Sequence, residues 1–257
     1  MLASYHTHIA DSGLDSMVVA AARSGMSVLG ISEHADRLRA PGALEDYRAQ
    51  VRFAGAPGLG VRLGVEADFV PGVESAVADL LAGPGWDFVL GAVHRIGGAG
   101  LGDVEAGDLG SGWALWREYC GLQRQAVASG LFDVLAHPLR LAGRVPPPPY
   151  LDQLFAPVLE AAAAAGVAVE LHGGDLGWAP AWHRNLVAWC HRSGVAVTLG
   201  AGAHRPEEVA RNLEAAGALL RREGFASATG FRARHPVGEP LAAPGAGYGR
   251  NCATGMR

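Results

Sequence analysis

Short apolar runs alternate along this chain with longer segments in which apolar residues, many of them alanine, recur at helical spacing. The runs are rich in valine, leucine and phenylalanine and are continuous, as in strands that are buried on both faces. Seven runs have this character: residues 2–5, 28–32, 61–65, 88–93, 132–136, 167–171 and 195–199. Their alternation with helical segments predicts repeated βα units, and therefore an α/β fold with parallel strands.

The segments between and after the runs predict seven helices. They cover residues 16–24, 44–53, 73–81, 113–128, 151–165, 181–192 and 207–222. Ser16 can cap the first helix and Gly25 can end it, because a serine hydroxyl accepts a first-turn N–H and glycine adopts the left-handed conformation that ends helices. Pro206 precedes the last helix, at a position that tolerates a missing N–H.

Two stretches interrupt this rhythm without dividing the chain. Residues 97–112 form a glycine-rich loop that is long enough for a lid or a mobile surface excursion, and residues 144–150 contain four consecutive prolines. Because the same alternation resumes after each stretch, we predict a single domain over residues 1–239. Residues 240–257 have no periodicity, which predicts a disordered C-terminal tail.

A potential metal ligand ends or follows every apolar run. In chain order these residues are His6 and His8, Glu33 and His34, Glu66 and Asp68, His94, His137, Glu170 and His172, and His204. If the strands form a parallel barrel, their C-terminal ends converge on one face, where the active sites of such barrels lie. Side chains that are far apart in sequence would then share one pocket.

The His6-Thr7-His8 segment strengthens a metal-binding interpretation. Side chains two residues apart on an extended chain point the same way, so both imidazoles can bind one cation. Mixed imidazole and carboxylate sites suit Zn, Mn and Fe. The set exceeds the need of one ion, which indicates two or three divalent ions bridged by Glu66, with a bridging hydroxide as the nucleophile. We expect ordinary polar roles for the helical or tail residues His183, His191 and His235.

Composition narrows the available chemistry. The chain has 257 residues and no lysine, so its 21 basic side chains are all arginine. This excludes P-loop nucleotide binding and Schiff-base or pyridoxal chemistry, which need a lysine. The net charge of -4 argues against coating nucleic acid or a membrane as the main role. Three separated cysteines and the absence of a membrane-spanning apolar run favour a cytoplasmic protein, as a monomer or an oligomer.

Six segments, taken together, resemble the polymerase and histidinol phosphatase (PHP) family. They are Tyr5-His6-Thr7-His8, Ile31-Ser32-Glu33-His34, Gly64-Val65-Glu66, Trp86-Asp87-Phe88-Val89-Leu90-Gly91-Ala92-Val93-His94, Val134-Leu135-Ala136-His137-Pro138 and Gly200-Ala201-Gly202-Ala203-His204-Arg205-Pro206. They occur in order across nearly the whole domain, and residues 230–237 are similar to the end of the stand-alone histidinol-phosphate phosphatases. The resemblance implies a distorted (β/α)7 TIM-like barrel with a trinuclear metal site.

Carried over residue by residue, the resemblance implies three groups of ligands. The groups are His6, His8 and Glu66 for the first ion, Glu66, His94 and His137 for the second, and His34 and His204 for the third. The family has one more ligand after the His-x-His pair, for which Asp11 and Asp15 are alternatives here. We predict catalytic roles for Glu66, His94 and His204.

One position departs from the family pattern. The last motif normally reads Gly-Ser-Asp-Ala-His, with the aspartate on the first ion, but this chain has Ala201 and Gly202 in place of serine and aspartate. The first site must then recruit water or a neighbour such as Asp175, bind metal weakly or stay empty. Three protein ligands plus water are enough for a catalytic zinc.

Without lysine, a substrate phosphate has to be held by metal ions, backbone N–H groups and arginine. Arg205 lies beside His204 at a predicted helix start, where an anion is favoured. Arg95 and Arg140 follow other ligand positions and can form a bidentate fork to phosphate oxygens.

These features predict a metal-dependent phosphomonoesterase that acts on a small phosphorylated substrate. The resemblance favours hydrolysis of L-histidinol phosphate to L-histidinol and phosphate, in histidine biosynthesis. One alternative is a PHP phosphoesterase that acts on nucleotides or oligonucleotide ends. Another is a degenerate PHP scaffold that binds metal or a phosphorylated ligand without turnover, and Gly202 is its direct support.

Overall fold

The computed structural model describes residues 2–83, 85–104 and 112–241. Its helices and strands, in chain order, are β1 (Leu2–Ser4), α1 (Leu14–Arg23), β2 (Met26–His34), α2 (Ala43–Phe53), β3 (Gly60–Asp68), α3 (Glu74–Leu81), β4 (Phe88–Ala92), β5 (Arg95–Ile96), β6 (Ala99–Gly100), α4 (Gly112–Ala128), β7 (Val134–Leu135), α5 (Leu151–Ala165), β8 (Ala168–His172), α6 (Pro180–Arg192), β9 (Val197–Gly200), α7 (Leu213–Arg222), β10 (Ser227–Arg232) and β11 (His235–Pro240).

Seven parallel strands form the central sheet in the order β1-β2-β3-β4-β7-β8-β9. The residues that follow β1 also pair with β9 and with the residues that follow it. The Tyr5 N–H donates to the Leu199 carbonyl at 2.8 Å, and Thr7 forms a parallel bridge with Ala203. The sheet therefore curves into a nearly closed barrel with the helices outside it. The predicted distorted (β/α)7 TIM-like barrel is confirmed.

The barrel interior is filled by a small apolar cluster that includes three aromatic rings. Phe88 meets Tyr5 edge-on at 5.1 Å between ring centroids, and Phe231 meets Tyr5 at 6.1 Å. The larger core lies between the sheet and the surrounding helices. Because the interior is filled with side chains, the open space at the C-terminal ends of the strands is a shallow cavity and not a pore.

Two predicted helix starts are wrong. The first helix begins at Leu14, so Ser16 lies inside its first turn and donates to the Gly13 carbonyl instead of capping. At the other end of the chain, Pro206 starts a 3-10 turn that ends at Glu208, and α7 begins only after Asn212, whose φ is 55°. A left-handed asparagine interrupts a continuous helix here.

The hairpin of β10 and β11 was not predicted, and it closes the N-terminal end of the barrel. Phe231 enters the interior cluster, and Arg234 donates to the Asp133 carboxylate at 2.9 Å. The turn residues Ala233 and Arg234 have φ of 48° and 63°, which is type I′ geometry without its usual Asn-Gly signal. His235 therefore starts an exposed strand and is not part of a tail.

Part of the predicted loop at 97–112 lies within the described residues. It begins with the β5–β6 hairpin and a 3-10 turn at Leu101–Asp103, while residues 105–111 lie outside the described part. Of the predicted tail, Pro240 ends β11 and residues 242–257 fall outside the described ranges. Within the described ranges, no helix combines the length and the apolarity needed to span a bilayer.

Candidate metal centre

The residues at the C-terminal ends of the strands meet around one cavity of about 360 Å³. Its wall contains Glu66 and the seven histidines that the sequence places at strand ends: His6, His8, His34, His94, His137, His172 and His204. The parallel strand order brings them together, since each lies at or just beyond the end of a barrel strand. The cavity is the candidate active site.

Glu66 is the central acidic group of this cavity. It is 1% exposed, and its two oxygens face different histidines. Oε2 lies 3.3 Å from His6 Nε2 and 3.1 Å from His34 Nδ1, whereas Oε1 lies 2.8 Å from His137 Nε2 and 3.6 Å from His94 Nε2. This arrangement suits a carboxylate that bridges two ions.

Within the described residues, four groups of ligand atoms could each hold a divalent ion. Three of them contain the predicted groups: His6, His8 and Glu66, then Glu66, His94 and His137, then His34 and His204 with His8 added. The fourth, which was not predicted, is His6, Glu170 and His172. In the group of His8, His34 and His204, the His8 ring stacks with His34 and with His204 at centroid distances of 4.2 and 4.3 Å, and the His34 and His204 centroids are 6.1 Å apart. The assignment of these residues as ligands, and of Glu66, His94 and His204 as catalytic, remains a prediction.

The donor spacing fits a metal ion. His6 Nε2 lies 3.1 Å from His8 Nε2, and His94 Nε2 lies 3.2 Å from His137 Nε2. Two ligand atoms on a tetrahedral zinc with bonds of about 2.0–2.1 Å stand roughly 3.3–3.4 Å apart, so both pairs have near-ligand spacing. Glu66 Oε2 is also buried without a hydrogen-bond partner. A divalent cation would satisfy these converging lone pairs.

Carboxylates orient several of these imidazoles from behind. His6 Nδ1 lies 2.8 Å from Glu170 Oε1, and Glu170 Oε2 accepts a hydrogen bond from the backbone N–H of His137 at 2.6 Å. His94 Nδ1 lies 2.6 Å from Asp68 Oδ1. A carboxylate on Nδ1 fixes the tautomer and leaves Nε2 free to bind metal. Glu170 and Asp68 were noted in the sequence as strand-end residues, but their supporting role was not predicted.

Burial and the surrounding charges shift the pKa values of these groups in opposite directions. Burial lowers the pKa of His6, but the carboxylates of Glu170 and Glu66 outweigh it and raise the pKa to about 10, so an ion that binds this ring would displace a proton. Burial lowers the pKa of His8 to about 4 and that of His137 to about 3, so both rings are neutral at pH 7 and can act as ligands. Burial opposes ionisation of Glu66, yet the charge on His6 and a hydrogen bond with His137 hold its pKa well below its usual range.

The structure distinguishes between Asp11 and Asp15 as the extra ligand. Asp11 Oδ2 lies 3.4 Å from His204 Nδ1, although this carboxylate is 55% exposed and also meets Arg37 at 3.5 Å. Asp15 is exposed in the first turn of α1, and neither aspartate is among the residues that line the cavity. Asp11 is therefore the better placed of the two.

Only one of the three predicted phosphate-binding arginines lines the cavity. Arg140 does so, and its Nε donates to Asp175 Oδ2 at 3.0 Å. Arg95 is exposed on the β5–β6 hairpin and donates to the Gly98 carbonyl, and Arg205 is exposed before the 3-10 turn. Neither residue lines the cavity. Arg211, which the sequence did not single out, lines the cavity instead.

Comparison with known proteins agrees with this geometry. The family model described as "PHP domain" matches residues 4–173, which include six of the strand-end histidines and Glu66. The chain belongs to the PHP family. A PHP relative from Deinococcus radiodurans, named "Probable histidinol-phosphatase", is 35% identical over 185 residues, which cover 65% of this chain and 67% of the relative.

A solved structure with the same fold covers almost the whole PHP barrel. It is histidinol phosphate phosphatase from Lactococcus lactis, in complex with zinc, L-histidinol and phosphate. It has a TM-score of 0.75 at 17% identity and covers 92% of this chain and 98% of that chain. At this identity the likeness shows the fold alone. The predicted family and enzyme class, a phosphoric monoester hydrolase, agree with these comparisons.

Proposed function

We propose that this PHP protein is a metal-dependent phosphomonoesterase that hydrolyses L-histidinol phosphate to L-histidinol and phosphate in histidine biosynthesis. The observation that carries the proposal is that seven histidines and Glu66 share one cavity with Arg140 and Arg211. The 35% identity to the Deinococcus relative supports the substrate. Buried free thiols at Cys120 and Cys190 suit the reducing cytoplasm.

The chain's own residues provide for both ends of a phosphate ester. His6, His8, His34, His94, His137, His204 and Glu66 would hold two or three Zn, Mn or Fe ions. Such ions supply Lewis acidity toward phosphate oxygens and lower the pKa of water. Arg140, fixed by Asp175, presents a guanidinium to the cavity and can bind phosphate oxygens. His6, His8 and His137 are at most 2% exposed, so the inner part of the ligand groups is shielded from bulk water.

A second cavity adjoins the first and suits the organic part of this substrate. It measures about 410 Å³ and shares His34, Glu66 and His94 with the metal centre. Its wall also contains Asp36 and Asp68, together with Arg37 and Arg39. Arg37 is paired with Asp11 at 3.5 Å and Glu33 at 4.0 Å. L-Histidinol phosphate carries an ammonium group and an imidazole, which acidic side chains attract, whereas a nucleoside monophosphate carries no such cation.

The first experiment measures phosphate release from a panel of substrates by the purified protein with added Mn²⁺, Zn²⁺ or Fe²⁺. The panel contains L-histidinol phosphate, nucleoside monophosphates, short single strands and p-nitrophenyl phosphate. We expect L-histidinol phosphate to be preferred. Preference for a nucleotide or strand end would instead establish the PHP phosphoesterase alternative, and bound metal without any phosphate release would establish the degenerate scaffold.

Two variants test the assigned surfaces. Glu66→Gln should lower kcat by at least about 100-fold, whereas the matched exposed variant His235→Asn, on β11 at the opposite end of the barrel, should leave it unchanged. Asp36→Asn should raise KM for L-histidinol phosphate but not for p-nitrophenyl phosphate, which has no cationic group. Equal KM changes for both substrates would remove the second cavity from the proposal.

A further inference from the structure

One buried histidine of the cavity belongs to none of the predicted ligand groups. His172 ends β8, is 3% exposed and lines the cavity. Its ring lies 5.3 Å from that of His6 and 5.6 Å from that of His137, measured between centroids. Its ligand nitrogen also lies within 4.8 Å of ligand atoms of His6 and Glu170.

The His172 ring occupies the space next to Gly202. A Cβ atom at position 202 would stand 1.9 Å from His172 Nε2, and one at Gly174 would stand 2.7 Å from Cε1. The imidazole is therefore held between two glycine backbones that lack the side chains to exclude it. Position 202 is also where the expected carboxylate ligand of the first ion is missing. The nitrogen of His172 stands almost where a side chain at 202 would start.

Hydrogen bonds orient His172 as a metal ligand would be oriented. Nδ1 lies 3.0 Å from Asp175 Oδ1 and 3.1 Å from the Asp175 backbone nitrogen, while Nε2 lies 3.2 Å from Arg140 Nη2. A guanidinium can only donate, so Nε2 accepts from Arg140 in the tautomer that carries its proton on Nδ1 and donates it to the Asp175 carboxylate. In this tautomer the Asp175 backbone N–H donates to the His172 carbonyl, 3.2 Å away, and not to Nδ1. This is the carboxylate–histidine arrangement that supports metal ligation.

We propose that His172 binds, through Nε2, the ion held by His6, His8 and Glu66, and so replaces the carboxylate ligand that Gly202 cannot provide. The inference rests on the metal centre of the proposed function. It requires Arg140 Nη2 to give up its bond to Nε2, which its separate bond from Nε to Asp175 permits. His172 is then a ligand, and Asp175 holds both His172 and Arg140 in place.

Metal titration tests the proposal without reference to turnover. The full chain is stripped with chelator and titrated with Zn²⁺ or Co²⁺, and bound metal is counted by elemental analysis while Co²⁺ absorption reports the ligand field. The variants are His172→Asn, Gly202→Asp and the double variant Gly202→Asp/His172→Asn. His183→Asn is the control, because this buried histidine contacts the Ala179 carbonyl within α6.

We expect His172→Asn to lose affinity for one ion by at least about 100-fold and to change the Co²⁺ spectrum, while His183→Asn matches the wild type. Gly202→Asp alone should gain no metal, because its side chain collides with His172. The double variant should regain the lost ion, since the carboxylate then has room. Melting of each metal-free variant shows whether it folds, and the rescued double variant tests the site even if His172→Asn is unstable.

Two results would overturn the proposal. If His172→Asn binds the same number of ions with unchanged affinity and an unchanged Co²⁺ spectrum, His172 is not a ligand. A raised KM for substrate in this variant would then show that His172 only positions Arg140. The metal centre itself would stand in that case. If the wild-type chain binds no divalent ion, the proposed function fails together with this inference, and the two outcomes are thus distinguishable.

Discussion

Gly64 lies under an aromatic ring that fills the barrel interior, and replacing it with alanine should destabilise the protein strongly. A Cβ at this position would stand 2.2, 2.4 and 2.5 Å from three atoms of the Phe88 ring. Gly64 belongs to β3, two residues before Glu66. The substitution therefore perturbs the core directly beneath the metal centre.

The size of the effect follows from the lack of room for Phe88 to move. Carbon atoms normally approach to about 3.5–4.0 Å, so roughly 1.3 Å of clearance is missing. The ring is fully buried, and a Cβ at Gly30 would also be only 2.8 Å from the same ring. Overpacking of this kind costs about 1–3 kcal/mol, and we expect about 3 kcal/mol here. For a chain of this size, the melting temperature should fall by roughly 6–12 °C.

Urea unfolding of the metal-free protein, held in chelator, measures this loss without a contribution from ion binding. The control is Gly121→Ala in α4, where a Cβ meets open space and the same substitution should stabilise by about 0.5–1 kcal/mol. In a Phe88→Leu background, Gly64→Ala should cost about 2 kcal/mol less than in the wild type. A Gly64→Ala variant within 1 kcal/mol of the wild type, or no coupling to Phe88, would refute the reasoning.

Three further predictions concern the supports of the barrel and its ions. Tyr47→Phe should lower the free energy of unfolding, measured in urea, by about 1–3 kcal/mol, because the buried hydroxyl forms hydrogen bonds of 2.7–3.2 Å with the main chains of β2 and β3. The control Tyr150→Phe, at an exposed position, should have no effect. Arg234→Gln should cost a similar amount, because the mostly buried Asp133 loses its ion-pair partner and keeps the hydrogen bond from the Val89 N–H. The exposed Arg232→Gln is its control under the same conditions. Adding Zn²⁺ at 100 times its Kd should raise the free energy of unfolding by about 2.7 kcal/mol and the melting temperature by roughly 5–11 °C. An unchanged melting curve would contradict metal binding to the folded state.

The barrel could be predicted from sequence because its strands are buried on both faces and so appear as continuous apolar runs. The final hairpin could not, since its strand from Ser227 to Arg232 mixes polar and apolar residues and its turn lacks asparagine and glycine. Ala233 and Arg234 adopt positive φ because distant partners hold Arg234, which bonds Asp133 and the Asp87 carbonyl. Long-range anchoring of this kind leaves no local sequence signal.

The candidate site was predictable where a ligand is defined by its place at a strand end. The arginines were not, because the direction of a side chain after the strand depends on the turn that follows. Arg140 turns inward on a 3-10 segment and is held by Asp175, while Arg95 enters an exposed hairpin. Arg211 reaches the cavity from a segment whose sequence predicted a helix but which forms turns.

The relation between His172 and Gly202 shows why a ligand set cannot be deduced from motif positions alone. In sequence the two residues lie in different motifs, and Gly202 indicates only a loss. In the barrel, β8 and β9 are adjacent, with His172 paired to Gly200, so the space vacated at position 202 is open to the end of β8. In the proposed ligand set, the imidazole at the end of β8 takes the place of the side chain that is missing after β9. A metal centre with an unchanged number of ligands can therefore follow from a sequence in which one ligand is missing.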